Sequence, residues 1–510
     1  MAPIVVLLIF AFVFFSIGPF GSFPLNDDWA YALAALKTSE NIMIPHLAWT
    51  IPQSPWAIPQ IILSAIWIKI LGFSHFNLRI LTFLIASAGL WGFDRILLLQ
   101  NVNRYTRILA ALCLIGFSPF LPLSASSMSD IYFFTLWIYA CLTFELAFRT
   151  DKDKIWIIGF LLILLCSLER LFGIVIAIAV LIYSCFLKST SFRKLVLFTV
   201  CSLSIIGIIV VIWNHFPSPL KEPLLQYPSI KQRVGNFFCV FLYLGVGVLP
   251  FALASLNWKV KKFPYGLIVV FFLFILGTWL IAPWNFRTNI SGGTMPFFGN
   301  LLSRYGFFMQ DEVLNGFREA MFGEWFWKLY TLISIIGAVF ILGELWRSKQ
   351  NWLKNWSFTG IASLLYLAII ITTRNPFFDR YLLPAFAGLL LYLATSLPTP
   401  LFKINRICSI TGALCLIFFS TLVTQDYFRW NEAKWTAANW AVAQGYSPLT
   451  IDGGFEWNGW HHFNNTKQNE NQFPAKIIIS FSELNGTSAL KEFSYESWVR
   501  KGSIYCLLIK

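Results

Sequence analysis

The chain has 510 residues, of which 57% are hydrophobic, 18% aromatic and only 12% charged, with a formal net charge of +14. A soluble core cannot absorb that much apolar sequence, so a soluble globular protein is excluded and a polytopic membrane protein is indicated. The basic excess lies in short loops between apolar runs, which points to anionic lipid headgroups and away from nucleic acid.

Apolar runs lie near residues 3–22, 56–72, 79–99, 107–123, 129–148, 155–168, 171–187, 194–213, 237–256, 264–283, 328–346, 357–373, 381–397 and 406–423. No basic segment precedes residues 4–17 and no small-residue cleavage site follows them, so they read as an uncleaved helix. Six basic clusters follow: Arg95, Arg104 and Arg107; Arg149, Lys152 and Lys154; Lys188, Arg193 and Lys194; Lys259, Lys261 and Lys262; Arg347, Lys349 and Lys354; Lys403 and Arg406. They alternate as cytoplasmic loops if the run at 56–72 does not cross the bilayer. That run carries Pro52, Pro55 and Pro59 at its start and contains Lys69, which suits an interfacial helix lying on the outer surface. The pattern predicts an all-α membrane domain over residues 1–423 with about 13 transmembrane helices, in the plasma (inner) membrane, N-terminus cytoplasmic.

Three external segments result: a long loop at 23–78, a short turn at 124–130, and a stretch at 284–327 too long for a plain connector. The tail at 424–510 is soluble in composition and predicts a small external C-terminal α/β domain. Within it, 426–444 reads as an amphipathic helix stopped by Gly445, and 449–451, 475–481 and 503–509 read as strands. His461 and His462 fall in a Gly/Asn-rich loop without partners at ligand spacing, so they mark no metal site. Of nine cysteines, all but Cys506 lie in apolar runs and read as small core residues.

Chemistry concentrates on the external face. Asp27 and Asp28 follow the first span in Phe23-Pro24-Leu25-Asn26-Asp27-Asp28-Trp29-Ala30-Tyr31. Paired, like-charged carboxylates at a membrane edge are costly, and a site handling a lipid-borne substrate accounts for them. Asp130 opens a span on the same face, and each of the three carboxylates suits either a general base or an oxygen ligand for a divalent cation. The alternative is that Asp28 and Asp130 only cap helix N-termini. Leu168-Glu169-Arg170-Leu171 interrupts an apolar stretch as the outer turn of a hairpin of short helices. There Arg170 suits a lipid phosphate, unless it merely pairs with Glu169. Asn375-Pro376-Phe377-Phe378-Asp379-Arg380-Tyr381-Leu382-Leu383-Pro384 starts a late helix, where Arg380 and Tyr381 suit a phosphate with Asp379 fixing the Arg fork, unless Arg380 only snorkels from the helix end. His46, in the first outer loop, is a further substrate-loop candidate. No Gly-rich phosphate loop of the Walker or dinucleotide type occurs, which argues against nucleotide-driven pumping.

These residues resemble the GT-C superfamily of integral-membrane glycosyltransferases, in its protein O-mannosyltransferase and aminoarabinose transferase branch. The resemblance runs over nearly all of residues 1–400. It comprises the acidic pair followed by Tyr31, the string Pro52-Gln53-Ser54-Pro55-Trp56, and Leu78-Arg79-Ile80. Ser127-Met128-Ser129-Asp130, Arg170-Leu171-Phe172-Gly173 and the Arg380 to Pro384 string complete it. The chain departs from the branch in having Asp-Asp where protein O-mannosyltransferases have Asp-Glu. It also has Gln53-Ser54-Pro55 where aminoarabinose-type enzymes have Lys before paired prolines.

The resemblance implies a GT-C fold and inverting transfer of a sugar from a polyprenyl-phosphate donor to a lipid, glycan or protein acceptor. Asp27 would be the general base with Asp28 as its modulator, Arg170, Arg380 and Tyr381 would hold the donor phosphate, and Tyr31 and Arg79 would belong to the substrate loop. A divalent cation, Mg or Mn, is compatible with the carboxylates. The competing classes are a flippase or transporter, which requires mid-membrane charges and inverted repeats that the sequence lacks, and a polymerase or ligase of lipid-linked glycans.

Overall fold

The computed structural model describes residues 2–40, 57–187, 192–215, 228–256, 265–280, 295–296, 301–308, 313–347, 357–373, 378–397, 401–462 and 474–510. His46, the proline string at 52–56, Lys188, Lys259, Lys261, Lys262, Lys349, Lys354, residues 375–377 and most of 284–300 lie outside the described residues. In chain order the helices are α1 (Ala2–Ser16), α2 (Asp28–Glu40), α3 (Ile58–Leu71), α4 (His75–Leu99), α5 (Arg104–Gly116), α6 (Phe120–Ser124), α7 (Ser129–Thr150), α8 (Asp153–Glu169) and α9 (Ile174–Ile182). They continue with α10 (Phe192–His215), α11 (Ile230–Ser255), α12 (Tyr265–Leu280), α13 (Glu324–Arg347), α14 (Phe358–Thr373), α15 (Leu383–Ser396), α16 (Lys403–Ala443) and α17 (Phe455–His462).

Among the described residues six helices are long and apolar enough to cross a membrane: α4, α7, the 193–212 part of α10, α11, α13 and α16. Further apolar helices, α3 and α14 among them, are shorter, so the described residues hold six full-length candidates where the sequence shows fourteen apolar runs and predicts about thirteen spans. With 14 residues α3 extends about 21 Å, less than a hydrocarbon core. It buries Gln60, Ile61, Ser64, Ala65 and Ile68 on one face and exposes Leu63, Ile66, Ile70 and Leu71 on the other. The run at 107–123 divides into α5 and α6, because Pro119 cannot continue a helix and disfavours the helical conformation at Ser118.

Close packing uses small residues. A Cβ on Gly337 of α13 would fall 1.9 Å from the Gly245 carbonyl oxygen, and one on Gly245 of α11 would fall 2.2 Å from that of Ser334. These two helices therefore meet backbone to backbone. The turn between α8 and α9 is equally tight: a Cβ on Gly173 would fall 2.4 Å from the Ser167 nitrogen.

The expected break near residue 424 is absent, because α16 is one helix of 41 residues, about 60 Å long. No proline interrupts it, and the switch from apolar to polar sequence at Val423-Thr424-Gln425-Asp426 changes its surroundings and not its conformation. It ends before Gly445 at φ 94°. β1 (Leu302–Ser303) and β2 (Gly306–Phe307) form a short antiparallel pair. Packed on the C-terminal half of α16 is a sheet of β3 (Ile451–Asp452), β4 (Ile477–Ser480), β5 (Thr487–Glu496) and β6 (Lys501–Ile509), in the order β3-β4-β6-β5. β3 and β4 are parallel and the remaining pairs antiparallel. The expected strand at 449–451 shrinks to the two residues of β3, since Pro448–Thr450 forms a 3₁₀ turn. His461 and His462 end α17 instead of lying in a loop, and His461 packs tilted against Trp457 with ring centroids 4.1 Å apart.

Candidate active site

The two adjacent aspartates separate at the start of α2. Asp28 is the first helical residue and is buried; its carboxylate folds back to accept the Leu25 N–H and, at 3.2 Å, the Ser127 N–H. It joins the first outer loop to the turn before α7. Burial pushes its carboxyl up to about 7, against Arg79 and those two N–H groups. Asp27 stays outside the helix, behind Asn26 in a left-handed backbone conformation at φ 47° that asparagine tolerates. Its Oδ2 faces Arg380 Nη1 at 3.4 Å. Burial also raises the Asp27 carboxyl above the usual carboxylate range, with Arg380 and Arg170 opposing and Asp130 reinforcing.

Asp130, in the first turn of α7, pairs with Arg170 Nη2 at 2.7 Å. The turn at Glu169–Arg170 therefore does not close on itself as a local pair. Arg170 takes Asp130 and also donates from Nε and Nη2 to Ser129 Oγ at 3.2 and 2.9 Å. Glu169 instead accepts the Gln60 N–H at 3.0 Å, fixing the start of α3. Ser129 Oγ also donates to the Tyr31 hydroxyl at 3.3 Å. Tyr381 completes the cluster, with the Arg170 and Arg380 guanidinium carbons 5.8 and 5.7 Å from its ring centroid. Asp27, Asp130, Arg170, Arg380, Tyr31 and Tyr381 thus converge, although some 350 residues separate the Asp27–Arg380 pair. The buried Arg380 Nε has no hydrogen-bond partner among the described residues.

Asp379 and Arg79 both hold backbone. Asp379 accepts N–H groups from Leu301 at 2.7 Å, Leu302 at 3.3 Å and Arg380 at 3.0 Å. Burial raises its carboxyl to about 6. Arg79, fully buried, donates to the carbonyls of Pro19 at 2.9 Å, Gly21 at 2.5 Å and Phe23, so within the first outer loop it straps the backbone from inside. His46 lies outside the described residues.

Residues missed in the sequence reading are the positioning ones. Gln60 donates from Nε2 to the Ser127 carbonyl at 2.6 Å, and Glu456 in α17 accepts the Asn26 N–H at 3.0 Å. Ser129 stands in the Asp130 string and Glu456 in the tail, but neither has a spacing that reveals its partner. Among the described residues no three His, Cys, Asp or Glu side chains group as a metal site.

Fold and site define a mostly helical chain with membrane-crossing candidates, capped by a small sheet domain and holding a carboxylate–guanidinium cluster. No family model and no curated protein matches the chain. Among solved structures it is similar to a crystal structure of ArnT from Cupriavidus metallidurans in the apo state, with a TM-score of 0.44 and 11% identity over 98% of this chain and 97% of that one. The same protein bound to undecaprenyl phosphate gives a TM-score of 0.43 and 12% identity over the same shares.

Proposed function

We propose that this chain is a membrane glycosyltransferase that moves a sugar from a polyprenyl-phosphate donor to a lipid, glycan or protein acceptor on the outer face of the membrane. The observation that carries this reading is the meeting of Asp27 and Asp130 with Arg170 and Arg380 around Tyr381.

Asp27 accepts the proton of the acceptor's hydroxyl or amine as that atom bonds to the anomeric carbon. The bond from that carbon to the phosphate oxygen breaks on the opposite side, inverting the configuration, and the departing phosphate keeps the electron pair. Its negative charge falls on the guanidinium groups. Arg170 is already committed to Asp130 and Ser129, whereas among the described residues Arg380 has one long ion-pair contact, to Asp27, and an unpartnered Nε. A phosphate taking the Arg380 fork loosens Asp27 from its partner and leaves that carboxylate free to take a proton. The raised Asp27 carboxyl suits this work, since a stronger base accepts the proton more readily. Residues 1–423 form the membrane domain in this reading and 424–510 the external one, with the N-terminus cytoplasmic and any divalent cation on Asp27 and Asp130.

The test is Asp27→Asn in membranes given a radiolabelled polyprenyl-phosphate sugar. Loss of label transfer, with folded protein still in the membrane, is the expected result. Retained transfer overturns the assignment.

A further inference from the structure

We infer that the C-terminal domain is part of this site, with Glu456 of α17 acting as a positioning residue for the turn that presents Asp27; the inference rests on Asp27 being the base. The Asn26 N–H, immediately before Asp27, donates to Glu456 Oε1 at 3.0 Å. The other carboxylate oxygen, Oε2, takes Lys434 Nζ of α16 at 2.5 Å, and both side chains are withdrawn from solvent. Asn26 in turn accepts the Asp27 N–H on its own Oδ1 at 2.7 Å. A continuous line of polar contacts therefore runs from Lys434 through Glu456 and Asn26 to Asp27, and on to Arg380 at 3.4 Å.

Three features make this line directional. Asn26 is buried and holds a left-handed backbone conformation, which favours the turn only while its N–H has an acceptor. An apolar residue in place of Glu456 would fill space but leave that N–H buried and unpaired. The acceptor also sits on a helix seated flush against α2: a Cβ on Gly459 would fall 2.2 Å from the Trp29 ring. Trp460 further locks α17 to the start of α4, with His75 at 5.1 Å and Phe73 stacked at 5.9 Å between ring centroids. The external domain thereby sets the aim of a carboxylate in the first loop, across 430 residues of sequence.

The experiment compares E456A/K434M with E456Q/K434M in the radiolabel transfer assay. Neither leaves a lone buried charge, and only the glutamine keeps an oxygen for the Asn26 N–H. The expected result is a kcat loss of about tenfold or more in E456A/K434M with donor KM within about threefold, and kcat within about threefold of the parent in E456Q/K434M. Equal loss in both, or no loss in E456A/K434M, overturns the proposal. G459A moves α17 off α2 without touching a charge and should give the same kcat-selective loss; if the double variants do not accumulate in the membrane, full activity of G459A overturns the proposal. D27N run alongside separates the two readings. An inactive D27N beside a fully active E456A/K434M refutes only the tail's role, and an active D27N removes the base itself and this inference with it.

Discussion

Arg380 is the group whose replacement tests the phosphate reading most directly. Its fork is the less committed of the two guanidiniums, with one 3.4 Å contact to Asp27 and a buried Nε unpartnered among the described residues. A hydrogen bond to a charged group contributes about 1.5–3 kcal/mol, and each 1.36 kcal/mol is about tenfold in rate, so Arg380→Gln should lower kcat roughly 10- to 150-fold. Arg380→Lys keeps the charge but not the two-pronged geometry and should fall at the shallow end, about tenfold. The pH dependence has a definite sign. Arg380 holds the Asp27 carboxyl down against the rise caused by burial, so removing the cation lets that carboxyl rise further. As the proposed base Asp27 works deprotonated, so the acid limb of kcat/KM in Arg380→Gln moves to higher pH, while in Arg380→Lys it stays closer to the parent. Transfer from the radiolabelled donor, followed across pH in membranes, reads both quantities. Arg380→Gln with parental kcat, or with an acid limb unmoved or shifted to lower pH, refutes the reasoning.

Arg79→Met strips the donors from three loop carbonyls and should destabilise the detergent-solubilised protein by roughly 3–5 kcal/mol, read as a fall in thermal midpoint; an unchanged midpoint refutes its strap role. Asp28 titrates near 7 in the folded chain against 3.8 as a free side chain, so between those values the folded state holds more proton than the unfolded one. Stability therefore falls as pH rises through that window, and Asp28→Asn should flatten the fall; denaturation series with the same pH slope in both proteins would contradict it. Gly337→Ala should force α11 and α13 apart at Gly245 and lower the midpoint by an overpacking cost of about 1–3 kcal/mol. A neutral Gly337→Ala would show that the two backbones are not in contact.

The apolar runs were legible in the sequence because a helix in lipid must be apolar along its length, whatever it packs against. Helix ends were less so. The change of composition near Gln425 reads as a boundary, yet α16 continues through it, since the medium around a helix alters its sequence without altering its hydrogen bonds. β5 left little alternation to read because it is an edge strand in which Phe493 and Tyr495 alternate with polar residues over one short stretch and most of the rest is exposed. The candidate site residues stood out as charges at the ends of apolar runs, but their partners did not. Arg170 could pair with its neighbour Glu169 or with Asp130, and only the turn at Gly173 and the docking of Gln60 on Glu169 decide it.

Those partners reveal how the acidic residues of this layer divide. Asp28, Glu169, Asp379 and Glu456 each accept backbone N–H groups, from Leu25 and Ser127, from Gln60, from Leu301 and Leu302, and from Asn26. Each joins one loop to another element, a task that apolar packing alone performs poorly because the loop amides would stay buried and unpaired. Asp27 and Asp130 differ: their carboxylates face Arg380 and Arg170. A carboxylate spent on backbone amides cannot leave them without unfolding a loop, whereas one facing a guanidinium can be released when a phosphate competes for the cation. In the proposed reaction, which carboxylate of this layer can be released is therefore set by its partner and not by the amino acid. The sequence neighbours Asp27 and Asp28 fall on opposite sides of that division because α2 begins between them.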